Sequence, residues 1–244
     1  MFVRRVGISL RNSDALYVAP CNHAAALFAV ARWHYSRTLP VGKLVKYGVW
    51  ESGTFIGAVL FAWGANKDLG SPYELELTQC CELVRVALSK HASPVSRIVA
   101  VALRLLKKSN PGLRLVISFA DPVERHHGGI YQAGNWIYTG TTVASFEYRL
   151  NGARLNKRAY TGRQFQTGAK AILPSNAVKV KTPGKYRYLY PLDTITRQNV
   201  EPLRLPYPQN QRARSTESGA PDDQLGGGGA TPTRALITAT SPEV

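Results

Sequence analysis

Trp33, His34, Tyr35 and Ser36 place an imidazole, a phenol and a hydroxyl within four consecutive residues. Histidine is the side chain whose ordinary pKa lies nearest neutrality, so His34 is a candidate to move protons, with Tyr35 beside it. The same residues also read as an aromatic-rich helix end, and both readings stand. Arg85 interrupts the apolar run Leu83, Val84, Val86, Ala87, Leu88, and a cation there needs a partner or a ligand. Glu82 and Glu51 are candidates to pair with it. Asp121 follows Ser118-Phe119-Ala120 at an expected strand end, where a carboxylate accepts a proton from an amine or anchors a loop. Tyr131, Asn135, Trp136 and Tyr138 combine rings with an amide; part of this set suits a core, and part suits stacking on a nucleobase. His126 and His127 with Asp121 offer metal ligands, but loop His pairs bind metal only when others converge, and no metal site is assigned.

These residues need elements to position them. Residues 82–122 read as strand, helix, strand: an apolar run to Leu88, a loop over 89–93, a helix opening at Pro94 and closing at Asn110-Pro111-Gly112, and a second apolar run over 113–120. A crossover helix makes its two strands parallel neighbours, and open α/β sheets take ligands beyond the carboxyl ends of such strands. Ser93 is the expected cap of the helix, and Ser96 and Arg97, one turn in, are placed to meet an anion at its positive end.

Around this unit, Asn22 caps a helix through HAAALFAVARWHY with Ala24, Leu27, Phe28 and Ala31 on its expected core face. Residues 46–51 and 54–63 form a hairpin about Ser52-Gly53, and Gly57 within it marks a bulge or a close backbone approach. Val3 to Leu10 reads as an opening edge strand. Ile130, Ala133, Trp136 and Ile137 suit a short helix ending near Thr139-Gly140, and Thr142 to Leu150 a strand that finishes the sheet. The order helix, hairpin, strand, helix, strand, helix, strand is that of the GNAT acyltransferases. The expected fold is therefore mixed α/β, a central mixed sheet flanked by helices. Its expected division is a catalytic domain over 1–160, a basic extension over 161–208 packed on or beside it, and a disordered tail over 209–244, where GGGG and scattered Ser, Thr and Pro cannot build a core.

The chain of 244 residues carries a formal charge of +16 and a pI near 10.0, which points to a polyanionic partner. From Tyr148 to Arg214 there are 14 Lys and Arg against Asp193 and Glu201, a net of +12. Lys179, Lys181, Lys185 and Arg187 are the candidates to contact DNA phosphates. No apolar run is long enough to span a membrane, and three cysteines, two of them adjacent, suit reduced thiols in a cytoplasmic compartment.

The strings WHYSR with a following P.GK, then ELVRVAL, ISFADP and GGIYQAGNWIYTG, in that order over about residues 22–148, resemble the bacteriophage Mom DNA-modification proteins. The resemblance implies a GNAT-like transferase that converts adenine in double-stranded DNA to N6-carbamoylmethyladenine and so shields phage DNA from host restriction. It places His34, Tyr35, Arg85, Ser96, Asp121 and Tyr131 at the working site. GNAT enzymes usually cradle the pyrophosphate of acetyl-CoA with a Gly-rich turn before the central helix; here the loop is Lys90-His91-Ala92-Ser93-Pro94. An acetyl-CoA or related acyl-CoA donor would have to lean on Lys90, Ser93, Ser96, Arg97 and the helix dipole. Two other readings stay open: a GNAT-type N-acetyltransferase of another amine, and a non-catalytic DNA-binding protein on the same scaffold. Donor, target sequence and oligomeric state are not encoded in any motif.

Overall fold

The computed structural model describes residues 8–9, 16–63, 68–155 and 174–209. Among these the strands are β1 (Ile8–Ser9), β2 (Leu16–Pro20), β3 (Leu44–Glu51), β4 (Thr54–Ala62), β5 (Cys80–Leu88), β6 (Leu115–Ala120), β7 (Ile137–Thr141), β8 (Ser145–Leu150), β9 (Ala153–Leu155), β10 (Val178–Thr182) and β11 (Tyr186–Pro191). The helices are α1 (His23–Trp33), α2 (Val95–Ser109), α3 (Gly129–Ala133) and α4 (Thr194–Val200). Eight strands form one sheet in the order β1-β2-β3-β4-β5-β6-β11-β7, and β10-β8-β9 form a second. The order α1, β3–β4 hairpin, β5, α2, β6, α3, β7 is the mixed α/β, GNAT-like order read from the sequence, with β5 and β6 parallel.

The two long helices cover opposite faces of this sheet. Val59 and Phe61 belong to the cluster that α2 closes with Ile98, Val101, Ala102, Leu105 and Leu106. Ala58 and Leu60, on the alternate face, meet Ala26, Ala29 and Val30 of α1. Burying each large apolar side chain of α2 is worth about 1.5–3 kcal/mol, so this helix is the main clamp on the sheet. For α1 the core face differs from the expectation. Ala24, Leu27, Phe28 and Ala31 are all exposed, and Ala26, Ala29 and Val30 face inward instead. Alanine against alanine lets the α1 backbone approach the sheet closely, while Phe28 packs outside on Trp33.

Two further expectations change. Trp136 and Ile137 are not helical: α3 ends at Ala133, and β7 begins at Ile137. The strand at 145–150 does not finish the main sheet but joins the small one. The place beside β6 is taken by β11, antiparallel, with Tyr188 opposite Ser118 and Leu189 opposite Ile117. Residues 186–191 are thus integral to the sheet rather than laid beside it. Asp193 fixes this return: it caps α4 through the Thr196 N–H at 2.8 Å and takes both guanidinium bonds of Arg114, each 3.1 Å.

Most of the opening strand expected over 3–10, the stretch 156–173, and the tail beyond Gln209 lie outside the described residues. No helix among those described is long and apolar enough to cross a membrane.

Candidate active site

β5 and β6 pair only at Cys80–Leu115, Cys81–Val116 and Glu82–Ile117, yet both strands run on. The cause lies on the other edge of β5. Leu60 of β4 faces Arg85 while Phe61 faces Leu83, so Val84 is an extra residue, a bulge that bends β5 away from β6. The bulge also reverses the strand's facing. Leu83 packs with the α2 cluster, but Ala87, an even number of residues later, packs with the α1 cluster. A regular strand would drive Arg85 into the core beneath α2. Instead it turns to the α1 side, where Nη1 donates to the Val84 carbonyl at 2.7 Å and Nε to the Thr38 carbonyl at 3.4 Å. A guanidinium thus satisfies the acceptor that the bulge strips from the ladder.

Between the parted strands opens a cleft of about 700 Å³. Its walls are β5 from Glu82 to Val86, Phe119 and Ala120 of β6, the Trp33-His34-Tyr35 corner, and the segment 125–131. Gly128 sits in that segment at φ +89°, where a Cβ would fall 2.3 Å from the Tyr188 ring. Only glycine lets the segment close on the sheet there.

His34 is buried, 9% exposed. Its Nδ1 accepts the Ser36 backbone N–H at 3.1 Å, so the neutral ring carries its proton on Nε2. Burial first, then the charge of Arg85 and the neighbouring His126, pulls its pKa down to about 4. At neutral pH His34 is therefore an uncharged hydrogen-bond donor. Tyr35 is 46% exposed and stands between the rings of His34 and His126, with centroids 4.3 and 5.5 Å away. Tyr131 is buried. Ser118 has one hydroxyl proton and two neighbours, the Leu83 carbonyl at 2.9 Å and the Tyr131 hydroxyl at 2.7 Å. The carbonyl can only accept, so Ser118 donates to it and Tyr131 donates to Ser118. Burial pushes the Tyr131 phenol up to about 12, and it keeps its proton throughout the ordinary pH range.

Asp121 is 3% exposed and does not line the cleft. Oδ1 accepts the Val123 N–H at 3.1 Å, and Oδ2 lies 2.8 Å from Lys185 Nζ. Lys185 does line the cleft, so Asp121 reaches the site through the ammonium it holds. His34, Tyr35, Arg85 and Tyr131 thus share one cavity, with Asp121 one residue behind it. Ser96 is not among the lining residues.

Of the remaining DNA candidates, Arg187 binds the Thr139 hydroxyl and carbonyl at 3.0 and 3.3 Å, while Lys179 and Lys181 lie exposed on β10. Two residues went unassigned to chemistry in the sequence. Glu82 is the only carboxylate among the described residues lining the cleft, and Ser118 orients Tyr131. Glu82 was legible as the acid three residues before Arg85; Ser118 needed the register of β6.

The loop before α2 tests an acyl-CoA donor. Ser93 does not cap the helix; Pro94 stands at the cap position without a side-chain bond. The loop's N–H groups are already bound to an anion, because Glu51 accepts Ala92 N–H at 2.7 Å and Ser93 N–H at 2.8 Å. These bonds hold the Glu51 carboxyl below its usual range. Gly57 seats the same loop at φ +150°, where a Cβ would lie 2.0 Å from the Ala87 carbonyl oxygen, and the Ser89 N–H reaches the Ile56 carbonyl at 2.8 Å. Lys90 and Arg97 are exposed, and none of Lys90, Ser93, Ser96 and Arg97 lines the cleft. These residues do not fit a pyrophosphate bound in the ordinary GNAT manner.

Burial raises the thiols of Cys80 and Cys81 to about 11 and 12, away from nucleophilic use. No group of three or more His, Cys, Asp or Glu among the described residues is placed to hold a metal.

The chain is similar to several known proteins. The chain is 26% identical over 185 residues to "Methylcarbamoylase mom" of Escherichia phage Mu, covering 72% of this chain and 76% of that protein. A probable GNAT-family acetyltransferase from Chromobacterium violaceum is similar at TM-score 0.42 and 11% identity, over 75% of this chain and 85% of that one. The ribosomal-protein-S5-alanine acetyltransferase of Vibrio fischeri is similar at TM-score 0.43 and 10% identity, over 76% and 97%. The family model matches residues 15–209, and the chain belongs to the Mom protein family.

Proposed function

We propose that this protein is a DNA-modifying transferase that converts adenine in DNA to N6-carbamoylmethyladenine, protecting phage DNA from restriction. The observation that carries the reading is the cleft between β5 and β6, where Arg85, Tyr35, His34, Tyr131, Lys185 and Glu82 converge. Membership of the Mom family and the relative named a methylcarbamoylase support it.

The exocyclic amine of adenine is a weak nucleophile because its lone pair is delocalised into the ring. It must lose a proton as the new bond forms. The amine nitrogen attacks the methylene carbon of a carbamoylmethyl donor, the leaving group departs with its electron pair, and the proton passes to Glu82. His34 donates from Nε2 to developing negative charge, and Arg85 and Lys185 supply fixed positive charge. Tyr35 offers an exposed ring against which a base taken from the duplex stacks. No step is routed through an acyl-CoA pyrophosphate.

Nucleosides from the DNA of cells expressing the protein, resolved by mass, test the reading. Deoxyadenosine carrying an added carbamoylmethyl group is expected for the wild type and is lost with Glu82→Gln. Unmodified DNA from a folded wild type would return the choice to an acetyltransferase of another amine or to a non-catalytic DNA-binding protein.

A further inference from the structure

The small sheet has one face that the proposed chemistry leaves unused. Cross-strand partners share a face, and successive residues alternate. Lys181 stands opposite Phe146 and Lys179 opposite Tyr148, which in turn is opposite Leu155. One face therefore carries Phe146, Tyr148, Lys179 and Lys181 with apolar neighbours and, among the described residues, no carboxylate. The other carries Glu147, buried and paired with Arg149 at 2.7 Å. The two lysines lie on one side of this thin layer and the Glu147–Arg149 pair on the other.

The lysine face is also open. Phe146 is 48% exposed, and Lys179 Nζ sits 4.3 Å from its ring centroid. Lys179 and Lys181 are exposed and about 6.7 Å apart along the strand, comparable to successive phosphates of an extended nucleic-acid strand. Lys185 and Arg187 differ: the first holds Asp121 and the second Thr139, so both serve the main sheet.

We propose that this face is a platform for an unpaired stretch of DNA, with Lys179 and Lys181 on consecutive phosphates and Phe146 and Tyr148 stacked on bases. Acidic protein would satisfy the lysines but leaves the exposed ring without a use. The proposal rests on the DNA-modifying reading and extends it: a reaction that takes a base out of the duplex leaves unstacked neighbours, which such a surface holds.

The test uses the full chain and an adenine-containing single-stranded oligodeoxynucleotide across a salt series. Lys179→Gln with Lys181→Gln should flatten the slope of log affinity against log salt by about 1.4, at roughly 0.7 per phosphate contact. Phe146→Leu keeps the apolar bulk; it should weaken binding about tenfold with the slope unchanged. Arg104→Gln with Lys108→Gln, exposed on α2, removes the same charge and should leave the slope alone. Each variant is accepted only with a wild-type melting temperature; if Phe146→Leu does not fold, Phe146→Tyr, which should bind as wild type, is set against Phe146→Ile. Equal losses in the two double variants would reduce the effect to net charge and overturn the platform. Wild-type affinity in Phe146→Leu, or in Phe146→Ile where that stands in for it, would overturn the stacking, as would equal ring dependence for polyglutamate. Intact, ring-dependent binding with no modified adenine would sink the proposed reaction and leave the platform standing.

Discussion

The Lys185 ammonium stands 2.8 Å from the buried Asp121 carboxylate, and of the two only Lys185 lines the cleft. Asp121 thus holds a cation at the cleft wall, and on the proposed function it acts as a positioning residue. Asp121→Asn and Lys185→Met should each lower adenine modification roughly ten- to a hundredfold, the scale of losing one well-placed charge from the site. The double variant should lose no more than the worse single one, and it should melt higher than Lys185→Met, which strands a buried charge. Multiplicative losses in a double-mutant cycle would mean that the two act separately.

The Glu51 bonds to Ala92 and Ser93 predict how coenzyme A behaves. Free coenzyme A at millimolar concentration should leave the wild-type melting temperature unmoved, since a ligand stabilises only in proportion to its binding. Glu51→Ala frees both N–H groups and should gain a measurable, concentration-dependent shift. A strong shift in the wild type alone would place a pyrophosphate on the loop despite Glu51.

His34 gives a pH dependence with a definite sign. Its folded pKa, about 4, lies below the ordinary value of 6.5. Between these values the unfolded chain binds a proton that the folded chain refuses, so stability falls as pH drops from about 6.5 to about 4 and this loss is complete below it. The cost is at most about 3 kcal/mol. His34→Gln should flatten the stability curve in that window relative to wild type, as read by denaturant midpoints. Parallel curves would contradict the burial of the neutral ring.

Asp193 both caps α4 and grips Arg114, and its carboxyl is held down to about 2, chiefly by that guanidinium. Asp193→Ala should destabilise the fold by about 2 kcal/mol, a cap plus a partly screened pair. The urea midpoint should fall without a change in slope. A change in slope would mean that β11 had come away from the sheet.

The strand-helix-strand unit was legible because its signals are local: apolar runs, Pro94 at the helix start and Asn110-Pro111-Gly112 at its end. His34, Tyr35, Arg85 and Tyr131 were legible as odd residue types within such runs. What stayed hidden depends on pairing across distance. The Val84 bulge exists only relative to β4, and nothing near Tyr186–Pro191 announces a partner some seventy residues earlier. The α1 face was misread because a helix rich in alanine offers two apolar stripes, and closeness to the sheet, not side-chain size, chose between them.

The insertion of β11 between β6 and β7 has a consequence for synthesis. Chain emerging from the ribosome in order offers β6 and β7 well before the strand that separates them. Until residue 191 is free, both edges stand open to wrong partners, including each other, and Lys185 has not reached Asp121. On the proposed reading the nascent protein therefore lacks the Lys185 cation of its cleft, and it is prone to aggregation until its C-terminal third is made. Chaperone demand should concentrate in that interval.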